Sequence, residues 1–291
     1  MPSLKDVKTK ISGVKKTSQI TKAMNMVASA KLRGAQQRIE DFRSYAEKFQ
    51  FAMGNLAGSV DPAQYPLMAI KDEVKKVEFV VVSSDRGLCG SFNANIFKIA
   101  DKEIARLESE GKEISVVAVG KKANAYYKKT GRVRKSYTDI MGSFQMFNAR
   151  EIAQDVADNF LAGDADEVRL CYSKFVSVAS QKPTLSTLLP ISPEEHQGEE
   201  VADSASHDYI YEPSTEEILD VLLPLYMNVT VYRSMLEVSA SEHAARMTAM
   251  DNATSACGDI IHNLTLIYNK ARQAGITAEL MDIVGGAEAL K

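Results

Sequence analysis

The chain has 291 residues, 45% hydrophobic and 25% charged, with a formal net charge of −3. Those values fit a folded protein of one or two domains and exclude global disorder. No apolar run approaches the ~20 residues that span a bilayer, and the start Met-Pro-Ser-Leu-Lys-Asp lacks the apolar core of a secretion signal. The expected setting is cytosolic, or on a membrane only through partners.

From Leu4 the apolar and small residues recur at steps of three and four: Leu4, Val7, Ile11, Val14, Ser18, Thr21, Asn25, Ala28, Leu32, Ala35, Ile39, Phe42, Ala46, Phe49, Met53 and Leu56. That spacing is a heptad seam, which holds one side of a long helix against a partner helix. No proline interrupts it between Pro2 and Pro62. About 55 residues rising 1.5 Å each predict a rod on the order of 80 Å. Its first 38 residues hold nine cations (Lys5, Lys8, Lys10, Lys15, Lys16, Lys22, Lys31, Arg33 and Arg38) against the single acid Asp6. Such a face calls for an acidic partner: nucleic acid, an anionic membrane or an acidic protein surface. Base-stacking aromatics are absent before Phe42, which argues against nucleic acid.

The middle of the chain changes period. Val77–Val82 and Ile114–Val119 read as buried strands, with a weaker one near Val133. Helices are expected over 95–108, 121–129 and 149–161, then a strand over 168–178, its hairpin neighbour over 182–189, and a last short strand at Tyr209–Tyr211. Residues 194–200 read as an exposed acidic loop. Alternating strands and helices predict a Rossmann-like α/β domain with a mostly parallel sheet. The loop after the first strand carries Gly87-x-x-Gly90, not a dinucleotide fingerprint, and no P-loop occurs in the chain. It reads as a tight turn, with Asp85 and Arg86 as a turn-stabilising ion pair. No catalytic motif is present. Cys89, Cys171 and Cys257 are scattered, and the four histidines lack metal-ligand spacing, so no cofactor, metal or disulfide is expected.

A second seam follows: Met250, Thr254, Cys257, Ile261, Leu264, Tyr268 and Ala271. The two seams predict an antiparallel coiled coil of the N- and C-terminal helices flanking the α/β domain. The expected boundaries are 1–60 for the first helix, 61–213 for the α/β domain and 214–291 for the last helix. Pro224 should kink or interrupt that helix, so that coiled coil begins near 226 and 214–224 packs on the α/β domain.

Three segments resemble the γ subunit of F-type ATP synthases: Ile20-Thr21-Lys22-Ala23-Met24-Asn25-Met26-Val27-Ala28-Ser29-Ala30-Lys31-Leu32-Arg33; Ser84-Asp85-Arg86-Gly87-Leu88-Cys89-Gly90; and Ser241-Glu242-His243-Ala244-Ala245-Arg246-Met247-Thr248-Ala249-Met250-Asp251-Asn252-Ala253, continuing through Tyr268 to Leu280. The resemblance covers the whole chain in order. It implies a non-catalytic rotor shaft that transmits torque between a membrane c-ring and a ring of α and β subunits, where the ATP chemistry occurs on β. It implies contacts with α, β, ε and the c-ring, and a place on the cytoplasmic face of the bacterial inner membrane. By the same resemblance, Met24 meets a β lever loop. Arg246, Arg272, Gln273, Thr277 and Glu279 match residues that contact α and β around the upper shaft. Ala287, Ala289 and Leu290 suit an apolar bearing tip. The alternatives are a basic coiled-coil adaptor for nucleic acid, which would bind random DNA in a salt-dependent way, and a small-molecule enzyme built on the α/β domain.

Overall fold

The computed structural model describes residues 3–57, 60–71, 73–192 and 214–289. The expected strand at 209–211, the acidic loop at 194–200 and Leu290 lie outside the described residues. Helix α1 spans Leu4–Ala57, and helix α5 spans Thr215–Ala289. Between them lie β1 (Lys76–Val82), α2 (Phe92–Ser109), β2 (Glu113–Val119), α3 (Lys121–Tyr127), β3 (Val133–Tyr137), α4 (Met146–Leu161), β4 (Glu167–Phe175) and β5 (Gln181–Leu189). Two compact units emerge: residues 1–29 with 246–291, and residues 30–245.

The first unit is a pair of helices. Its N-terminal helix starts on a reciprocal cap: Asp6 N–H donates to Ser3 Oγ at 3.2 Å, and Ser3 N–H donates to Asp6 Oδ2 at 3.3 Å. Each satisfies a backbone donor that the first turn leaves without a helical partner. Val7, Thr21, Ala28, Met250 and Cys257 are buried in the seam. The pairing is antiparallel: Thr21 meets Thr254, at 2.7 Å between hydroxyl oxygens, and Asn25, one turn further along α1, meets Met247, further back along α5. Thr21 also reaches Ser18 O and Thr254 reaches Met250 O. Two hydroxyl protons thus serve three acceptors, and the cross-helix bond forms when either threonine gives up its own backbone bond. Asn25 Nδ2 donates to Met247 O at 2.9 Å across the pair. Polar seam residues of this kind fix register, because a slip would strand the amide.

In the second unit the sheet order is β3-β2-β1-β4-β5. β1 pairs in parallel with both β2 and β4, β2 in parallel with β3, and β5 antiparallel with β4. The chain steps outward from β1 to β3, then returns to the other side of β1. Right-handed crossovers therefore put α2 and α3 on one face and α4 on the other. β1 is central and β-branched, and every residue from Val77 to Val82 is buried. The same core takes in Ala46, Phe49, Met53 and Leu56 of α1 and Leu219, Leu223, Tyr226 and Met227 of α5. Phe49 stacks on Tyr226, and Phe42 meets Tyr232 edge-on. Arg38 Nη2 donates to Phe144 O at 2.9 Å and to Tyr232 Oη at 3.1 Å, which ties the loop before α4 to both long helices.

Two expectations need correction. Of the kink or interruption expected at Pro224, the interruption does not occur, since α5 is helical on both sides of it. Pro224 and Asp220, the residue whose carbonyl the proline leaves without a donor, both lie on the exposed face. Water can hydrate that carbonyl while Leu219 and Leu223 keep the buried face packed, so the helix continues. Residues 214–224 do pack into the α/β core, as expected. β4 is shorter than expected and ends at Phe175, because a turn closed by Ser177 N–H to Ser180 O reverses the chain.

Asp166 pins the start of β1. Burial pushes its carboxyl up, but the Lys71 ammonium at 2.7 Å and the Lys76 and Lys75 N–H groups outweigh that and hold it at about 2. A carboxyl held below its ordinary value of 3.8 contributes stability above pH ~4 that is lost as pH falls toward ~2. Asp166→Asn is expected to cost about 1–2 kcal/mol at neutral pH, and next to nothing near pH 2. Denaturant midpoints across that range test it, and a constant difference would refute the assignment.

Candidate functional site

The C-terminal edge of the parallel strands is where an α/β sheet ordinarily presents a ligand site. Here the chain's own side chains fill it. Asp85, after β1, accepts N–H groups from Lys121 (2.9 Å), Asp139 (3.1 Å) and Met141 (2.9 Å), joining the loops after β1, β2 and β3. Ser83 Oγ accepts Ala123 N–H in the first turn of α3 at 2.8 Å and donates to Val119 O at 3.1 Å. Ser84 and Asn93 bond each other at 2.8–3.1 Å, linking this loop to α2. The amides of Ser84, Lys121, Ala123, Asp139 and Met141 at this edge are therefore already bonded. Asp85 stabilises the turn as expected, but it does so through three backbone donors. The three cysteines are free and buried, and burial pushes the Cys171 thiol up to about 12. That leaves it un-ionised and unreactive at neutral pH.

The helical pair offers a different kind of site. On α1, Ile20 and Val27 are exposed, and Met24 between them is half-buried. The three share one face at steps of four and three, turned away from the seam. Lys5, Lys8, Lys10, Lys15, Lys16 and Lys22 are all exposed, and no ion pair to any of them is found among the described residues. On α5 the seam positions from Met250 to Ala271 are buried or half-buried. Beyond half-buried Gly275, every residue from Ile276 to Ala287 is exposed, including Leu280, Met281, Ile283 and Val284. Exposed apolar residues in such number are a contact surface by default.

Of the six residues singled out from the sequence, four lie on α5 between positions 272 and 279. Arg272, Gln273, Thr277 and Glu279 are all exposed. Arg272 and Glu279 are two turns apart on one flank of the Ile276–Leu280–Ile283 stripe, and Gln273 and Thr277 are one turn apart beside it. Thr277 Oγ1 donates to Gln273 O at 2.9 Å, leaving its lone pairs to accept from outside. Arg246 differs: it is buried, at 8% exposure. The 3,4 spacing gives no warning of this, since its next position before Met250 is Met247.

A family model described as ATP synthase matches residues 3–290. The ATP synthase gamma chain of Desulfotalea psychrophila is 62% identical over 294 residues, covering 100% of both chains. This chain belongs to the ATP synthase gamma-chain family. The gamma chain of Nitratidesulfovibrio vulgaris (strain Miyazaki F) is 54% identical over 292 residues, again covering 100% of both chains. Among solved structures, the central stalk and c-ring of the Tetrahymena thermophila mitochondrial ATP synthase includes a chain of 27% identity and TM-score 0.59, with 80% of this chain and 99% of that chain covered. The rotor of the Euglena gracilis mitochondrial enzyme, at 20% identity and TM-score 0.64, shares the fold over 94% of this chain and 98% of that one. The gamma-chain family is named as a subunit of a larger enzyme, and the match lends no support to a nucleic-acid adaptor. No described helix is long and apolar enough to cross a membrane.

Proposed function

We propose that the chain is the central rotor shaft of an ATP synthase, carrying torque between an ion-driven c-ring and the nucleotide sites of the β subunits. The observation that carries this reading is the antiparallel helix pair whose outer surface is left open. Its seam closes on apolar residues, with Ser18, Thr21, Asn25, Ala28 and Thr254 among its small and polar positions. Its free faces present Ile20, Met24 and Val27 on α1, and the apolar stripe with Arg272, Gln273, Thr277 and Glu279 on α5. A shaft must turn inside its sleeve, so it needs contacts that break and reform. Single exposed hydrogen-bonding groups beside an apolar stripe meet that need, whereas a deep interlocking interface would hold one angle.

In this reading the basic face of α1 lies toward acidic loops of β, and Met24 and Val27 supply the apolar part of that contact. The α/β domain faces ε and the c-ring, and the assembly sits on the cytoplasmic face of the bacterial inner membrane. No catalytic residue, cofactor or metal is assigned to the chain.

The test is ATP hydrolysis by the cognate α and β subunits co-expressed with and without this chain. A stable assembly with fast multisite turnover is expected only when the chain is present. Failure of the chain to join the complex would overturn the reading. Arg272→Ala combined with Gln273→Ala is expected to lower turnover or complex yield severalfold while leaving the fold intact, since both side chains are exposed. Unchanged turnover and yield would remove these two residues from the contact.

A further inference from the structure

A cleft of about 210 Å³ opens in the second unit between α1, the end of β4 and α5. Its apolar lining comes from Ile39, Phe42, Phe175 and Leu236. Around it stand Arg43 on α1 and Lys174 on β4, with Arg233 and Glu237 one turn apart on α5 completing the wall. Glu237 is almost fully buried, and one of its oxygens is already used, accepting Phe175 N–H at 2.7 Å. Arg43 and Lys174 are exposed, and neither forms an ion pair among the described residues. A separate observation points the same way. Lys174 is the direct cross-strand partner of Lys182 in the antiparallel β4–β5 pair, and like charges set opposite each other in a sheet oppose its stability.

We infer that this cleft binds a small organic anion: a phosphate or carboxylate head held by Arg43 and Lys174, with a short apolar body against Phe42 and Leu236. The head brings negative charge to Arg43 and Lys174, and charge-assisted hydrogen bonds to guanidinium and ammonium are the strong kind. The volume equals that of about seven waters. It admits a head with a few carbons. A bound anion would join α1, β4 and α5 where the long helices meet the sheet. The inference stands apart from the rotor reading, since it uses none of the helix-pair surfaces.

Calorimetric titration of the purified full chain with butyl phosphate tests it, with inorganic phosphate as the second probe. Saturable 1:1 binding is expected in the sub-millimolar range, about −4 to −6 kcal/mol, weakening as salt rises. Arg43→Gln with Lys174→Gln should weaken it at least tenfold, whereas Lys98→Gln on α2 should leave it unchanged. All three positions are exposed, so folding is not at issue. Absence of saturable binding, or equal affinity in the double variant, overturns the proposal. Inorganic phosphate binding as tightly as butyl phosphate overturns the apolar half of the site, and with it the proposal as stated.

Discussion

Gly120→Ala is expected to destabilise the α/β domain by at least about 3 kcal/mol. Gly120 ends β2 at φ 93° and ψ 148°, a conformation almost confined to glycine. A Cβ there would stand 2.4 Å from Ser83 O and 2.9 Å from Ser83 Oγ. Ser83 cannot retreat cheaply. Its N–H donates to Val119 O at 2.8 Å, and its hydroxyl bridges Val119 O and Ala123 N–H. Moving it would undo the links that join β1, β2 and α3. Unfolding followed by tyrosine fluorescence suits the test, since Tyr127 and Tyr137 are buried in this domain and the chain has no tryptophan. A midpoint within about 1 kcal/mol of the parent would show that the edge is softer than its hydrogen bonds imply.

The sequence and the structure agree best where periodicity governs. Every seam position of α1 from Val7 to Leu56 is buried or half-buried, and only Leu4 of the sixteen is exposed. The alternation of strands and helices pointed to a mostly parallel sheet but left the strand order open, and the right-handed crossover then decides only the face on which each helix lies. Long-range polar pairing was not legible, because it has no period. Nothing local to Asp85 shows that its partners are the amides of residues 121, 139 and 141. Nothing in the β1 pattern shows where a Glu78 charge would find its partner. The cationic cleft was hidden for the same reason, since Arg43, Lys174 and Arg233 are brought together only by the fold. Pro224 misled because local chemistry disfavours it in a helix, while the packing of Leu219 and Leu223 overrides that preference. The polar residues of the α5 tip were found through family resemblance. Their exposure agrees with that reading, and the burial of Arg246 sets it apart.

Arg134→Met is the other substitution with a large expected effect. Glu78 lies in the centre of β1 and is fully buried. Its carboxylate accepts Arg134 Nε at 2.5 Å, with longer bonds from Asn159 Nδ2 at 3.3 Å and Ser115 Oγ at 3.4 Å. Burial raises the Glu78 carboxyl above its ordinary value even with the guanidinium beside it, so desolvation outweighs the pairing. Removing Arg134 alone leaves a buried charge with two weak donors, a loss of about 3–5 kcal/mol. Asp155, the other partner of Arg134, keeps Lys135 at 2.9 Å, so the loss falls on Glu78. The pH dependence follows in sign. A carboxyl whose folded value is raised binds its proton more readily in the folded state, so its contribution to stability falls as pH rises. Without Arg134 that rise is larger, and the deficit of the variant should grow from about pH 5 to about pH 8. Glu78→Leu combined with Arg134→Met should recover most of the loss, because an apolar pair carries no desolvation cost. Asn159 and Ser115 are only half-buried and can turn to water. Denaturant midpoints for the single and double variants at both pH values decide the matter. A pH-independent deficit, or a double variant no better than Arg134→Met, would mean that Arg134 acts through packing against its neighbours and not by neutralising the buried carboxylate.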